Sequence, residues 1–295
     1  IMEYSKIVLS VPSGFLTPWQ ADTIFGSLCW TLRLSEGEKA LKEFLEPFRD
    51  RRPPFLISSG FPGDSLPAPA TLRLPGQRVP MTRDEYSELK KRKKARYLSP
   101  EGFRVALRGG LPAPGEVREA FTSSSTLHST ISRLTGSTGA EGSLFQLEEL
   151  HAPDEPPSVS VYLRAEQEAV RAQVVKLFES LSQSGFGKKK SVGKGSFTLQ
   201  KVEEWSPPPL ERPASGFVTL APFVPARDDP TDGYWTYRVK YGKLGEFFAH
   251  SGKPFKKPCL FLEEGSVFRT EGTPTGLYGR AVEGLSEAYP EVVQY

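Results

Sequence analysis

The pattern of hydrophobic and polar residues along this chain predicts short strands that lead into helices. Residues 3–11 are rich in aliphatic and β-branched residues and predict an opening strand. The next segment has the residues of a helix start, with Thr17 at the N-cap, Pro18 at N1 and Gln20 at N3. Apolar residues then recur at helical spacing as far as Leu32, which predicts a helix with one buried face.

A second strand and helix are predicted in the middle of the chain. Residues 158–164 alternate between apolar and polar, which predicts a strand with its valines buried and with Tyr162 on an open face. Residues 166–183 have the periodicity of an amphipathic helix, and Gly185 is placed to end it. A further strand is predicted over 196–202, so this part of the chain is expected to run strand, helix, loop, strand.

The loop between that helix and the last strand is the most informative stretch of the sequence. Gly185–Ser196 reads GFGKKKSVGKGS and holds four glycines and four lysines but no acidic residue. Glycine permits positive φ and a close approach of the backbone, exposed N–H groups in such a turn bind anions, and lysine suits phosphates. The spacing fits neither a Walker A loop nor a dinucleotide fingerprint. We interpret the loop as a site for a phosphodiester chain, with a solvated lysine loop as the alternative.

The predicted elements indicate an α+β protein with two units. Strands are also predicted at 216–222, 234–241, 259–263 and 266–269, beyond a proline-rich linker at 207–213. Two ferredoxin-like (RRM-like) domains satisfy this pattern, with the glycine-rich loop between a helix and a strand of the first. The expected domains are 1–205, with a basic lobe inserted at about 75–125 and the loop at 185–196, and 216–295.

Composition narrows the class of protein. The chain has 295 residues, of which 38% are hydrophobic and 25% charged, as expected of a globular protein. Cys29 and Cys259 cannot form a disulfide framework, and no Cys/His cluster suggests zinc, so we expect no metal, no cofactor and a reducing, cytoplasmic location. No secretory leader and no long apolar run is evident, so no association with a membrane is expected.

Positive charge is concentrated in two places, although the net charge is only +3. One is the glycine loop, and the other is the run of Lys90, Lys91, Arg92, Lys93, Lys94 and Arg96. The rest of the chain is net acidic. Such concentration is typical of nucleic-acid sites, whereas a solvated helix face is the alternative for the basic run.

Several segments together resemble the RAMP superfamily of CRISPR proteins. They are TPWQADTIFGSLCW, PPFLISSGFP, HSTISRLTG, GFGKKKSVGKGSF, PFKKPCLFLEEGSVF and the terminal VVQY. Within that superfamily the chain resembles the Csm-type subunit that caps the crRNA 5′ end in type III-A complexes. The resemblance extends from residue 15 to the end and is weakest between 75 and 125.

This resemblance implies ferredoxin-like domains, no catalytic activity and binding of the crRNA 5′ handle. It also implies docking to the large polymerase/cyclase-like subunit and to the repeated backbone subunit. Carried onto this chain, the loop's role falls on Gly185, Gly187, Lys188, Lys189, Lys190, Ser191, Gly193, Lys194 and Gly195. The HSTISR match adds His128, Ser132 and Arg133 as handle contacts. Tyr162, Phe186 and His128 are expected to stack on or brace bases.

Two other functions remain open at this stage. A metal-independent endoribonuclease that processes precursor crRNA would use His128 for proton transfer, because it is the one histidine near a basic motif. A protein-interaction scaffold would use the basic runs to bind an acidic partner. Metal chemistry is not expected, because Asp228, Asp229 and Asp232 do not complete a calcium-loop pattern.

Overall fold

The computed structural model describes residues 3–74, 80–129, 131, 134–138, 144–209 and 213–295. It contains four α-helices, α1 to α4, in these residues. In chain order they are Ala21–Arg49, Arg83–Lys93, Pro100–Leu107 and Glu168–Ser182. The described strands are numbered β1 to β14. In chain order they are Glu3–Ser10, Phe55–Pro62, Leu66–Pro67, Tyr97–Leu98, Val117–Arg118, Thr122–Ser129, Leu144–His151, Ser158–Ala165, Thr198–Glu204, Gly216–Val218, Gly233–Tyr234, Tyr237–Lys240, Cys259–Leu262 and Val267–Arg269.

A four-stranded antiparallel sheet forms the centre of the N-terminal part, with the strand order β2-β8-β1-β9. Ile7 in β1 lies between Val161 of β8 and Val202 of β9. Helix α1 connects β1 to β2, and α4 connects β8 to β9. The predicted strands and helices around the glycine loop are confirmed to within a few residues, and so is the α+β class.

Helices α1 and α4 cover one face of this sheet. They pack against each other and bury the main apolar core, because their apolar residues recur on one side. Helix α1 is interrupted at Gly37, whose φ of 92° is not helical. The largest side chains that are fully buried in this core are Trp19, Phe15, Phe178, Phe186 and Phe197.

The opposite face of the sheet is also covered, so the expectation that Tyr162 lies on an open face is wrong. Its side chain is 4% exposed, and its hydroxyl donates to the carbonyl oxygens of Asp64 and Ser65. Phe61, Tyr97, Phe103 and neighbouring apolar residues form a second core around it. Strand alternation predicts two faces but not what packs on the second one.

The chain between β2 and β8 forms an inserted lobe that supplies this second core. It contains the small sheet β3-β4-β5, helices α2 and α3, and the hairpin of β6 and β7. Helix α2 carries the first four residues of the basic run, Lys90 to Lys93, and begins with a capping box between Thr82 and Glu85. The lobe therefore begins before the predicted residue 75 and ends well after residue 125.

The C-terminal part differs from the predicted second ferredoxin-like unit. Residues 213–295 contain two small antiparallel sheets, β10-β14-β11 and β12-β13, and no α-helix. Three of the four predicted strands are present but shorter than expected, and the one predicted over 234–241 is divided into β11 and β12, which belong to different sheets. Proline and glycine recur at short intervals throughout this part, which prevents a long helix from propagating. No helix in the described residues is long and apolar enough to cross a bilayer.

The two thiols provide a simple test of the packing. Both are free, and burial raises the pKa of Cys29 to about 12 and also raises the pKa of Cys259. Because the thiolate is the reactive form, we expect iodoacetamide at pH 8 to leave Cys29 unmodified in the native protein and to alkylate it after denaturation. Peptide mapping measures this, and full labelling of native Cys29 would contradict the packing of α1.

Candidate nucleic-acid interface

The glycine loop, Gly185–Ser196, joins α4 to β9 and is closed at its neck by a backbone hydrogen bond. The amide of Phe186 donates to the carbonyl oxygen of Gly195 over 2.8 Å. Gly195 has a φ of 66°, and a Cβ there would lie 2.0 Å from the Phe186 oxygen. Glycine is therefore required at this position both by the left-handed conformation and by space.

The side chain of Phe186 anchors the loop in the core and is not available for a nucleotide. It is 1% exposed and stacks on the indole of Trp19, with ring centroids 4.1 Å apart. The expectation that Phe186 stacks on a base is therefore not met in this structure, and the same holds for the buried Tyr162. His128 is the exposed member of the three predicted stacking residues.

The loop is also fixed to the segment that leads into α1. The amide of Gly195 donates to the carbonyl of Gly14 over 2.9 Å, and the amide of Lys188 donates to the hydroxyl of Thr17 over 3.1 Å. Thr17 is therefore not the helix N-cap predicted from the sequence, because Gln20 holds that position and Thr17 contacts the loop instead.

The tip of the loop presents backbone donors without acceptors. Lys190–Val192 form a short 3₁₀ turn between two left-handed residues, Lys189 and Gly193. Among the described residues, no group accepts a hydrogen bond from the amides of Lys189, Lys190 or Ser191. Three successive unpaired N–H groups on an exposed turn can bind the oxygens of an anion such as a phosphate.

The four loop lysines have different surroundings. The ammonium of Lys190 lies 3.2 Å from Glu246, and that of Lys194 lies 2.7 Å from Glu149. Lys188 has no side-chain partner among the described residues, and the ammonium of Lys189 lies 5.9 Å from the ring centroid of Phe145. The sequence predicts four equivalent cations, whereas the structure leaves Lys188 and Lys189 free of carboxylates.

The β6–β7 hairpin lies beside the loop and brings His128 to the same site. His128 is paired with Phe145 across the two strands, and their rings stack 5.5 Å apart with 19° between their planes. The His128 Nε2 lies 3.0 Å from the Thr126 hydroxyl. Through Phe145, His128 is therefore next to Lys189. Ser132 and Arg133 lie outside the described residues.

A buried carboxylate joins the base of this hairpin to the loop. The side chain of Glu149 is 5% exposed, accepts from Lys194 and lies 3.9 Å from Nε2 of His151. Ser124 contacts the same imidazole nitrogen at 2.9 Å. Sequence reasoning missed Phe145 and Glu149. The two-residue period of β7, which places both on one face, was the available signal.

The basic run of the inserted lobe makes contacts within that lobe. Lys91 pairs with Glu88, Lys93 donates to the carbonyl of Leu74, and Arg92 donates to that of Pro112. No described contact of these side chains reaches the glycine loop. Among the described residues, no group of three or more His, Cys, Asp or Glu is arranged to hold a metal ion.

Comparison with known proteins identifies structures of the same fold but no sequence relatives. No protein-family model matches the chain, and no curated protein matches its sequence. A chain of the crystal structure of a Csm1–Csm4 cassette in complex with pppApA superposes with a TM-score of 0.61 at 19% identity, covering 100% of this chain and 95% of that chain. A chain of the same cassette in complex with cA4 superposes with a TM-score of 0.63 at 18% identity, covering 100% of this chain and 95% of that chain.

A complex of different composition also contains a chain of this fold. A chain of the Csm3–Csm4 subcomplex from the type III-A CRISPR-Cas interference complex matches with a TM-score of 0.62 at 11% identity, covering 99% of both chains. Csm4 is the component that these complexes have in common. This chain therefore shares its fold with chains of Csm1–Csm4 and Csm3–Csm4 complexes, which agrees with the fold that the resemblance implies.

Proposed function

We propose that this protein is a non-catalytic RNA-binding subunit of a type III-A CRISPR ribonucleoprotein, in which the glycine loop holds the crRNA 5′ handle. The observation that carries the proposal is the tip of the loop. In the part of the chain that the structure describes, the amides of Lys189, Lys190 and Ser191 have no acceptor, and Lys188 and Lys189 of the same loop have no carboxylate partner. Backbone donors and ammonium groups together suit a sugar-phosphate chain.

The central sheet supports the finer assignment of the fold. Its elements follow the order β1-α1-β2-β8-α4-β9, which is the split β-α-β order of ferredoxin-like and RRM-like domains. We assign this type to the N-terminal part. Because a second core covers the outer sheet face, RNA is proposed to bind at the loop and hairpin and not across the sheet.

We also propose that this protein docks to two other subunits of the complex and that it is located in the cytoplasm. The similar structures are complexes of Csm1 with Csm4 and of Csm3 with Csm4. By analogy, we propose that this chain docks the large polymerase/cyclase-like subunit and the repeated backbone subunit.

A role without catalysis is supported by the surroundings of His128. Its described neighbours are Thr126 and Phe145, and no described carboxylate or ammonium group contacts the imidazole. Metal-free RNA cleavage requires groups that remove one proton and donate another. The arrangement suits a stacking contact better than proton transfer.

Removing the two free ammonium groups tests the loop. In a titration of handle RNA with the full chain, Lys188→Ala/Lys189→Ala should weaken binding, because two phosphate contacts are lost. The slope of log K against log salt concentration should flatten by about 1.4, at about 0.7 for each contact to single-stranded RNA. Fluorescence anisotropy at four salt concentrations measures both quantities.

The matched control is Lys90→Ala/Lys94→Ala, which removes the same charge from the basic run of the lobe. This control should change the slope by much less. Equal slopes for the loop variant and the wild type would remove the loop from the RNA site. The RNA recovered from the titration, carried out in EDTA, should remain intact, and cleavage lost in His128→Ala would overturn the non-catalytic assignment.

A further inference from the structure

The C-terminal part contains a two-stranded arm with an exposed apolar face. The arm consists of residues 234–244 and 254–262, paired through β12 and β13 and prolonged by the bridge between Lys243 and Phe255. Alternate residues of β12 point to one side, and Leu260 lies opposite Val239 on that side. Leu262, opposite Tyr237 on that side, is buried at 7% exposure. We call the exposed part of this side the outer face, and it is formed by Trp235, Tyr237, Val239, Tyr241, Phe255 and Leu260.

The exposure of these side chains is unusual for a soluble chain. Tyr241 is 72% exposed, Phe255 67%, Tyr237 60% and Leu260 46%. Single exposed apolar residues need no explanation, but several adjacent ones on one face of a sheet mark an interaction surface. Tyrosine, tryptophan and phenylalanine are the residues enriched at protein interfaces.

The opposite side of the arm is held down, so the outer face is presented in a fixed orientation. The ammonium of Lys240 contacts the buried carboxylate of Asp22 at the start of α1 and lies 2.8 Å from the Thr23 hydroxyl. Cys259 and Phe261 are buried in a small core beneath β13. Turning the arm over would break this ion pair and expose that core.

The charges of the arm are mainly positive. Residues 233–262 contain six lysines and arginines and a single acidic residue, Glu246, which pairs with Lys190. Arg238 and Lys240 have carboxylate partners on the inner side. Lys243 and Lys257 have no acidic partner among the described residues. A partner that covers the face is expected to carry carboxylates opposite these two lysines.

We propose that the outer face of the arm is a docking surface for a protein subunit whose contact region is apolar and rimmed by carboxylates. The proposal rests on the proposed function, since it identifies the part of this chain that one subunit of the ribonucleoprotein contacts. Single-stranded RNA also binds basic surfaces with aromatic residues. Four of the six residues of this face carry rings, but its centre is the aliphatic pair Val239 and Leu260. Lys243 and Lys257 are few charges for a phosphate chain, so a protein partner is favoured.

Binding between purified components tests this assignment. The full chain is titrated with the large subunit and, separately, with the repeated backbone subunit of the same type III-A system. The double variant Tyr241→Ser/Leu260→Ser should weaken binding to one of the two by at least roughly tenfold, as expected for loss of interface anchors. Lys243→Glu/Lys257→Glu should slow association with that same subunit and reverse its salt dependence.

The control is Tyr86→Ser, which removes an aromatic residue that is 58% exposed on α2, away from the arm. It should bind both subunits as the wild type does, and all variants should bind handle RNA normally. Loss of RNA binding with intact subunit binding would make the face an RNA surface and overturn the proposal. Wild-type self-association that the double variant abolishes would assign the face to a second copy and overturn it as well.

The remaining outcomes separate this inference from the proposed function. If the wild type binds RNA and subunits and the face variants bind them equally well, the docking surface is wrong while the proposed function stands. If the wild type binds neither RNA nor either subunit, the proposed function fails and the docking surface fails with it.

Discussion

Gly195→Ala is expected to open the neck of the glycine loop and abolish binding of handle RNA. A Cβ at this position would lie 2.0 Å from the carbonyl oxygen of Phe186, which is backbone and cannot rotate away. The loop is closed between the same two residues by the hydrogen bond from the Phe186 amide to the Gly195 carbonyl. Either the neck opens or Phe186 moves out of the core, and both displace the amides at the tip. Anisotropy with handle RNA and chemical denaturation measure the two effects.

Gly193→Ala is the matched control, because Gly193 also has a positive φ, 81°, but a Cβ there meets nothing within 4 Å. The left-handed conformation alone should cost about 1–2 kcal/mol of stability. We expect Gly193→Ala to retain most RNA binding and Gly195→Ala to lose it while the rest of the core stays folded. Equal RNA affinities of the two variants would mean that the shape of the neck does not matter for the site.

The helix, loop and strand that carry this site could be predicted because their signals are local. The apolar period of α4 and the alternation in β8 are read from neighbouring residues. Gly185 is next to the end of α4 and has a φ of 78°, as expected of a glycine that terminates a helix. Each of these features depends on residues within a few positions of one another.

The partners of the loop could not be predicted, because they are distant in sequence. Lys194 meets Glu149 and Lys190 meets Glu246, across 45 and 56 residues respectively. Nothing local distinguishes these lysines from Lys188 and Lys189. Tyr162 is likewise buried by residues of the inserted lobe, which are distant in sequence. The basic run of that lobe indicates an exposed segment and gives no sign that the lobe covers the sheet. The sequence therefore predicts which residues form the loop but not which of its charges remain free.

These two ion pairs place the loop between the other exposed elements of the protein. Lys194 connects it to the base of the β6–β7 hairpin, and Lys190 connects it to the segment at the end of the C-terminal arm. The contact between Lys190 and Glu246 is exposed to solvent. Because exposed ion pairs contribute little to stability, this link positions the loop without holding the fold together.

Trp19→Ala is expected to be among the most destabilising single substitutions in the chain. Its indole is 2% exposed, stacks on Phe186 and lies 5.2 Å from the ring of Phe197. Its carbonyl accepts from the amide of Gly60, so the residue joins the loop to β2. Removing a buried indole costs about 3–5 kcal/mol, through lost burial and the remaining cavity. Scanning calorimetry should show a Tm lower by roughly 5–15 °C.

Trp19→Phe distinguishes the contribution of ring packing to stability from the cost of burying the indole N–H. The Trp19 Nε1 is buried without an acceptor among the described residues, and burying such a donor costs about 1–3 kcal/mol. Phenylalanine keeps a ring against Phe186 but is smaller than tryptophan, so some buried contact is lost. Removing the unpaired N–H donor offsets part of that loss of stability. We expect it to lose less than half of the stability that the alanine variant loses and to keep RNA binding. Equal losses in the two variants would mean that the stacked ring does not secure the loop.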